Sequence, residues 1–294
     1  VASPLPDLSI RQLEYLVAVA DSDTFALAAE HVGVSPSALS QGLAELERRV
    51  GVPLFDREGR RRVLRPDARP VLEHARQVVA LTADLTDWAQ RTRSGDHGQL
   101  RLGMIDASAV QHHGEALRRF RTEHPDLRIH LRVGPSGGLL RELVDGALDL
   151  AVCVEPPEPV RGVQTEPLLS EDLAVYAPDG RRQPGPSAGW GPWVLFPRGA
   201  HTRAVTEAAL RRRGAPLDVV AESHQPEVLC EMVRLGLGWS VLPVAQAEWG
   251  DQPLTGCEVL ARRRVVAARR EGAAPHPAGL LLEQALRSEP MAGS

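Results

Sequence analysis

The sequence contains no lysine, and all 34 of its cationic residues are arginine. Against 38 acidic residues the formal net charge is -4, which excludes a uniformly basic nucleic-acid coat. Any contact with DNA must therefore rest on local charge. Aromatic residues make up only 4% of the chain, so the cores are expected to be mostly aliphatic. Cysteine is scarce. Cys153, Cys230 and Cys257 are odd in number, widely spaced and without a CxxC pair. A disulfide framework and a structural zinc site are both disfavoured, no metal is expected, and a reducing cytoplasm fits. No apolar run reaches the roughly 18 residues of a spanning helix, so no membrane partner is expected. Val1 to Asp7 holds two prolines and no basic stretch, unlike a signal peptide. What is present is a globular balance of 43% hydrophobic and 24% charged residues over 294 positions. That length suits two domains on a prior of about 150 residues each.

The first 66 residues carry the most specific pattern. Residues 9–22 read as a helix capped by Ser9, with Leu13, Leu16, Val17 and Ala20 at helical spacing. A short helix follows from Thr24, with Phe25, Ala28, Ala29 and Val32 on one face, and Gly33 breaks it. Ser35 caps a third helix with Pro36 at its first position, and Leu39, Leu43, Leu46 and Val50 form its buried stripe. Gly51 and Pro53 end it. Leu54 to Arg65 reads as a two-stranded wing turning at Glu58-Gly59. Two helices joined by a tight glycine turn, the second with a polar face of Ser37, Ser40, Gln41 and Glu45, are helix-turn-helix grammar. Short polar groups early in such a helix reach base edges in a major groove. Arg57, Arg60, Arg61, Arg62 and Arg65, opposed only by Glu58, suit phosphates. The alternative is a small helical domain with a solvated arginine run.

These residues resemble the LysR-type transcriptional regulators. The resemblance rests on Arg11-Gln12-Leu13, Phe25 with Ala28-Ala29, and Val34-Ser35-Pro36-Ser37-Ala38-Leu39-Ser40-Gln41. Leu46-Glu47, Gly51-Val52-Pro53-Leu54-Phe55 and Arg57 extend it, almost without gaps, across residues 8–93. It implies that Ser35, Pro36, Ser37, Ser40 and Gln41 lie where the family reads bases. Arg57, Arg60, Arg61 and Arg62 fall where it grips the minor groove or phosphates. Two positions depart from the family: Gly42 replaces a longer polar residue, which should weaken one contact, and Arg65 replaces a threonine cap.

From about Pro66 to Arg93 the pattern is one long helix; Pro70 inside it would remove one hydrogen bond, so Asp67 is read as capping a helix that properly starts at Ala68 or Arg69. Val71, Ala75, Val78, Thr82, Leu85 and Ala89 alternate by four and three, a coiled-coil seam. A lone helix has nothing of its own to bury such a seam against. Dimerisation is therefore expected, as the resemblance also implies, with packing on its own domain as the alternative. Ser94 to Gly98 breaks the chain. Strands and helices then alternate: strands at 100–105, 128–133, 148–154, 173–177, 193–196, 218–221, 239–242 and 264–268, with helices at 114–123, 138–145, 202–213, 225–236 and 278–287. Asp149-Leu150-Ala151-Val152, Pro197-Arg198-Gly199 and Gly236-Leu237-Gly238 with Pro243 are similar to the family's effector-binding domain, which has the periplasmic-binding-protein architecture. The expected fold class is α + α/β: a winged helix-turn-helix (1–66), a linker helix (67–95) and a two-lobed α/β effector domain (96–294). The first lobe covers about 98–168 and 264–290 and the second about 169–263, with crossings near Leu169 and Arg263.

Ligands in open α/β folds sit beyond the carboxyl ends of strands, at helix N-termini. The candidates there are Asp106, Ser108, Pro135, Ser136 and Cys153 from one lobe. Gly199, Ala200, His201, Thr202, Ser223, His224, Gln225 and Trp239 come from the other. Ordinary capping is the competing reading for each, and Cys153 equally fits a buried core position. Hydroxyls at helix N-termini suit an anion or an amino-acid-like molecule, and no other cofactor is expected. Gly134-Pro135-Ser136-Gly137-Gly138 also fits the G-x-S-x-G elbow of a hydrolase between strand and helix, but no HGGG-type oxyanion loop accompanies it. His112-His113 reads as exposed, and Arg211 to Arg213 and Arg262 to Arg264 read as solvated faces or subunit contacts. The function expected is a non-enzymatic regulator that binds double-stranded promoter DNA as a dimer or tetramer and responds to a small molecule in the cleft. A periplasmic-type receptor fused to a degenerate head is the alternative.

Overall fold

The computed structural model describes residues 7–58, 61–94, 98–178, 185–274 and 276–287. The N-terminal part opens with α1 (Ile10–Asp21), α2 (Phe25–His31) and α3 (Pro36–Val50). Their starts have local chemical causes. Ser9 N–H donates to the Gln12 side chain at 3.3 Å, Leu27 N–H to Thr24 Oγ1 at 3.2 Å, and Ala38 N–H to Ser35 Oγ at 3.2 Å. Gly33 (φ +68°) turns the chain between α2 and α3, and Gly51 (φ +81°) closes α3 in the left-handed region. Leu13, Leu16, Leu39, Leu43 and Leu46 make the aliphatic core between the three helices. A hairpin follows, β1 (Phe55–Glu58) antiparallel to β2 (Arg61–Leu64), with Phe55 opposite Leu64.

One 3-10 turn, Pro66–Ala68, leads into α4 (Arg69–Ser94). Pro70 therefore lies in the first turn, where its missing N–H breaks no intrahelical bond, and the start at Arg69 is one of the two that the sequence offered. The expected seam divides in two. Val71, Ala75 and Val78 pack on the core of the first three helices, with Ala75 wholly buried, so this half does find a partner within its own domain. Leu85, further along the same seam, is 58% exposed.

The C-terminal part begins with β3 (Gln99–Met104), a π turn at Ser108–His112, α5 (Gly114–Glu123), β4 (Arg128–Val133), α6 (Ser136–Val144) and β5 (Leu150–Val154). β4 and β5 flank β3, both parallel to it, as two β-α-β crossovers require. Then come β6 (Val163–Tyr176), β7 (Trp193–Leu195), α7 (His201–Arg212), β8 (Val219–Glu222), α8 (Pro226–Arg234), β9 (Ser240–Pro243), α9 (Val244–Ala247), β10 (Val259–Arg270) and α10 (Pro277–Arg287). Six strands join in the order β4-β3-β5-β10-β6-β9, and β7 pairs with β8. Strands β6 and β10 run antiparallel along almost their whole length. One end of β10 pairs with β5, and the far end of β6 pairs with β9. This shared ribbon carries the chain from lobe to lobe around Leu169–Ser170 and back around Arg263–Arg264.

Both ribbon strands are much longer than the 173–177 and 264–268 segments legible in sequence, because charge conceals them. Glu166, Glu171 and Asp172 interrupt β6, and five arginines interrupt β10. Cross-strand pairing offsets that charge, as between Arg262 and Asp172 at 2.6 Å. Pro167 sits at a register shift of the ladder, where a strand tolerates it.

The first-lobe core is aliphatic, around Leu102, Leu139, Leu143, Val152 and Val265. The second lobe departs from the aliphatic expectation. Trp190, Trp193 and Trp239 meet there with ring centroids 6.2–6.4 Å apart. Among the described residues no helix is long and apolar enough to cross a membrane.

Position 42 faces α1, so a side chain there would strike Tyr15: a Cβ on Gly42 would lie 2.6 Å from Tyr15 Cδ2 and Cε2. Gly42→Ala should therefore destabilise the protein. Overpacking costs about 1–3 kcal/mol and outweighs the roughly 1 kcal/mol of better helix propensity. In a Tyr15→Ala background the same change should stabilise it. Thermal melts of the four proteins decide, and the same sign in both backgrounds would refute the account.

Candidate functional site

A cavity of about 380 Å³ opens where the ends of β3, β4 and β5 meet the starts of α6, α7 and α8. Pro135 and Ser136 reach it from α6, Ala200, His201 and Thr202 from α7, and Gln225, Pro226 and Glu227 from α8. Each helix start presents N–H groups without intrahelical acceptors and a positive dipole end. The side chains of Ala200 and Gln225 do not cap α7 and α8, so neither N-cap occupies those N–H groups. Val154, at the end of β5, stitches the walls together. Its N–H donates to Ser136 Oγ at 3.1 Å, and its carbonyl accepts from His201 Nδ1 at 2.8 Å. That bond requires the His201 tautomer with its hydrogen on Nδ1.

Charge enters the cavity on two sides. Burial raises the pKa of Asp106 above the usual carboxylate range, and Glu227 adds to this, against the N–H of Ala107 at 2.8 Å. Opposite, Arg263 is only 4% exposed. Its Nε donates to Glu171 Oε2 at 2.6 Å and its Nη1 to Thr202 Oγ1 at 2.7 Å, while Glu171 Oε1 lies 3.0 Å from His112 Nε2. Glu171 and Arg263 are register partners on β6 and β10. Burial pushes the Glu171 pKa up, but the Arg263 charge and the His112 contact outweigh it and hold it below the usual range. Gln246, on α9, also lines the cavity. It is 8% exposed, and neither its amide nitrogen nor its oxygen has a hydrogen-bond partner among the described residues. Leaving such a group unpaired costs about 1–3 kcal/mol.

In the N-terminal part, Ser35, Pro36, Ser37 and Gln41 are exposed at the start of α3, and Ser40 is half-buried. Arg62 Nη2 donates to Ser40 Oγ at 3.0 Å, and its guanidinium carbon lies 4.7 Å from the centre of the Phe25 ring. Arg62 thus braces the hairpin against α2 and α3. Arg65 pairs with Asp56 at 2.9 Å and with Asp67 at 3.1 Å, so it latches the base of the hairpin. Glu45 is held by Arg48 and Arg49, which draw its pKa down to about 2, so it is engaged along its own helix. Arg60 lies outside the described residues, and Arg57 and Arg61 are described in their backbone only.

Residues 10–69 match the bacterial regulatory helix-turn-helix protein family, lysR family, and residues 93–290 match the LysR substrate binding domain. The chain belongs to the LysR family. It is a DNA-binding transcriptional regulator with a C-terminal effector-binding domain. Among its relatives is the HTH-type transcriptional regulator IlvR of Caulobacter vibrioides, 28% identical over 246 residues, which span 81% of this chain and 83% of that one. The fold is that of a full-length OxyR single-site variant from Pseudomonas aeruginosa (TM-score 0.69, 23% identity, covering 97% of this chain and 96% of that one). It is also that of full-length CbnR complexed with its target DNA (TM-score 0.60, 20% identity, covering 95% and 99%).

Of the residues singled out by sequence in this regulator, Asp106, Pro135, Ser136, Ala200, His201, Thr202, His224 and Gln225 line the cavity. The others lie elsewhere. Ser108 is buried in the π turn, and Cys153 sits in the first-lobe core, where burial pushes its thiol up to about 12. Gly199 occupies an exposed turn at φ +88°. Ser223 Oγ accepts from Gln225 N–H at 3.1 Å, and Trp239 stacks on Trp190. Two sequence readings are overturned. His112 and His113 are buried, the latter with its pKa lowered to about 4 by burial and then by the charge of His112. Arg263 is buried between exposed Arg262 and Arg264, because alternate residues of a strand face opposite ways. Among the described residues, no group of three or more His, Cys, Asp or Glu could hold a metal ion.

Arg263→Met removes one member of a buried ion pair, so it should cost about 3–5 kcal/mol at neutral pH, read by urea denaturation. The wild-type contribution of Glu171 is present above its unfolded pKa and fades as pH falls through its depressed folded one. Without Arg263, burial alone raises Glu171, and protonation removes the penalty. The deficit should therefore narrow as pH falls through the carboxylate range. A deficit independent of pH would place the loss elsewhere.

Proposed function

We propose that promoter binding by this regulator is controlled by a small organic anion or amino-acid-like molecule held among Asp106, Ser136, His201, Thr202 and Arg263. The observation that carries this is the convergence of three helix N-termini and a buried guanidinium on one cavity of about 380 Å³. Its walls come from both lobes, so a ligand touching Ser136 and Thr202 together favours one lobe spacing over others. Regulation then follows from differential affinity of the ligand for two states of the assembly, since equal affinity shifts nothing. At the other end, Pro36, Ser37, Ser40 and Gln41 read base edges early in α3, and the hairpin arginines meet phosphates. The exposure of Leu85, on the seam of α4, supports pairing of two subunits and hence a two-fold operator, with a tetramer built from such pairs. A cytoplasmic location follows from access to DNA. No catalytic step belongs to this reading: Ser136 Oγ is engaged by the Val154 N–H, and no histidine bonds to it among the described residues.

Two experiments test the two ends. Ser40→Ala combined with Gln41→Ala should abolish specific binding to DNA from upstream of the regulator's own gene, since each base contact is worth about 1–3 kcal/mol. Salt-sensitive non-specific binding should survive. Unchanged affinity in a mobility-shift titration would refute the reading of α3. In a thermal-shift screen of small carboxylic and amino acids, at least one should raise the melting temperature, and Thr202→Val should remove that rise. A rise that persists in Thr202→Val would place the ligand outside this cleft.

A further inference from the structure

We propose that Gln246 is a specificity-determining residue that selects ligands bearing a primary amide, with a carboxylate at the other end of the molecule held at the start of α7 beside Arg263. This rests on the cleft reading above and narrows it to a class of molecule. A side-chain amide presents an NH2 donor and a carbonyl acceptor side by side, and both of Gln246's are buried at the cavity wall with no partner among the described residues. Its 8% exposure leaves little room for bulk water to serve them. Neither Glu227 nor Arg263, which also line the cavity, supplies the complement by itself. The carboxylate of Glu227 only accepts when ionised, and the guanidinium of Arg263 only donates. Phe196 supplies apolar wall. The group that satisfies Gln246 must therefore arrive with the ligand and must both donate and accept in one plane. A carboxamide does this through two antiparallel N–H···O bonds, whereas a carboxylate offers only acceptors and a methyl group offers nothing. Elsewhere on the same lining the character is reversed: the N–H groups at the start of α7 are not capped by Ala200, and with the Arg263 charge they suit a carboxylate. A site built this way rejects a molecule lacking the amide because its own polar atoms then stay unpaired.

The test is calorimetric titration of the full chain with glutaramate, which carries a carboxylate and a primary amide on a short chain, and with glutarate and pentanoate as analogues lacking the amide. Wild type should bind glutaramate at least about tenfold more tightly than either analogue. Gln246→Met, of similar volume, should erase that preference. Its melting temperature without ligand should equal or exceed that of wild type, because two unpaired polar atoms are gone, and this shows that the variant is folded. Equal affinity of wild type for all three probes, or a preference that survives Gln246→Met, overturns the role of Gln246 and leaves the cleft standing. Absence of binding by all three overturns the amide class, and the broader screen with Thr202→Val then decides the cleft independently.

Discussion

The guanidinium of Arg263 and the carboxylate of Glu171 face each other on the two strands that pass between the lobes, 2.6 Å apart and both almost fully buried. Desolvating two such charges is expensive, and the pair holds only because further bonds complete it. Thr202 takes one hydrogen of Arg263, and His112 meets the second oxygen of Glu171. Because Thr202 begins α7 and His112 ends the π turn after β3, this one interaction ties an element of each lobe to the shared ribbon. The position of the α7 N-terminus at the cavity follows from it.

Around that pair the cavity takes its chemical character from backbone geometry more than from side chains. Strand ends and helix starts coincide in α/β units, so free N–H groups collect there without any special residue. Val154 shows the same economy, with its N–H bonding Ser136 on one wall and its carbonyl bonding His201 on the other. Side chains then add what a backbone cannot: a raised carboxyl at Asp106, a positive charge at Arg263 and an unpaired amide at Gln246.

In the N-terminal part, the sequence was legible almost residue by residue, because its signals are local. Caps at Ser9 and Ser35 and the breaking glycines at 33 and 51 act within a few residues, and the leucine stripe of α3 is read by periodicity alone. The wing was read less well. Arg57, Arg60, Arg61 and Arg62 looked equivalent in sequence, yet Arg62 braces the hairpin on Phe25 and Ser40, and Arg65, which stands where the family has a threonine, closes on Asp56 and Asp67. In the cleft, helix N-termini predicted from strand-helix alternation located eight lining residues. The inward-facing arginine, the unpaired glutamine and the burial of His112 gave no local sign. Gln246 in particular follows a short strand in a stretch with no motif.

Composition, periodicity and turn chemistry thus determined most helices and the shorter strands, that a polar helix and an arginine hairpin open the chain, and that two α/β lobes follow. Only tertiary structure decided which charges are buried. That choice depends on strand register between residues 92 positions apart, as for Glu171 and Arg263, and register is a property of pairing and not of either strand. The same holds for the long helix: of one apolar seam continuous in sequence, Val71, Ala75 and Val78 are packed on the core of the first three helices while Leu85 is exposed, because burial depends on which partner surface lies opposite each position.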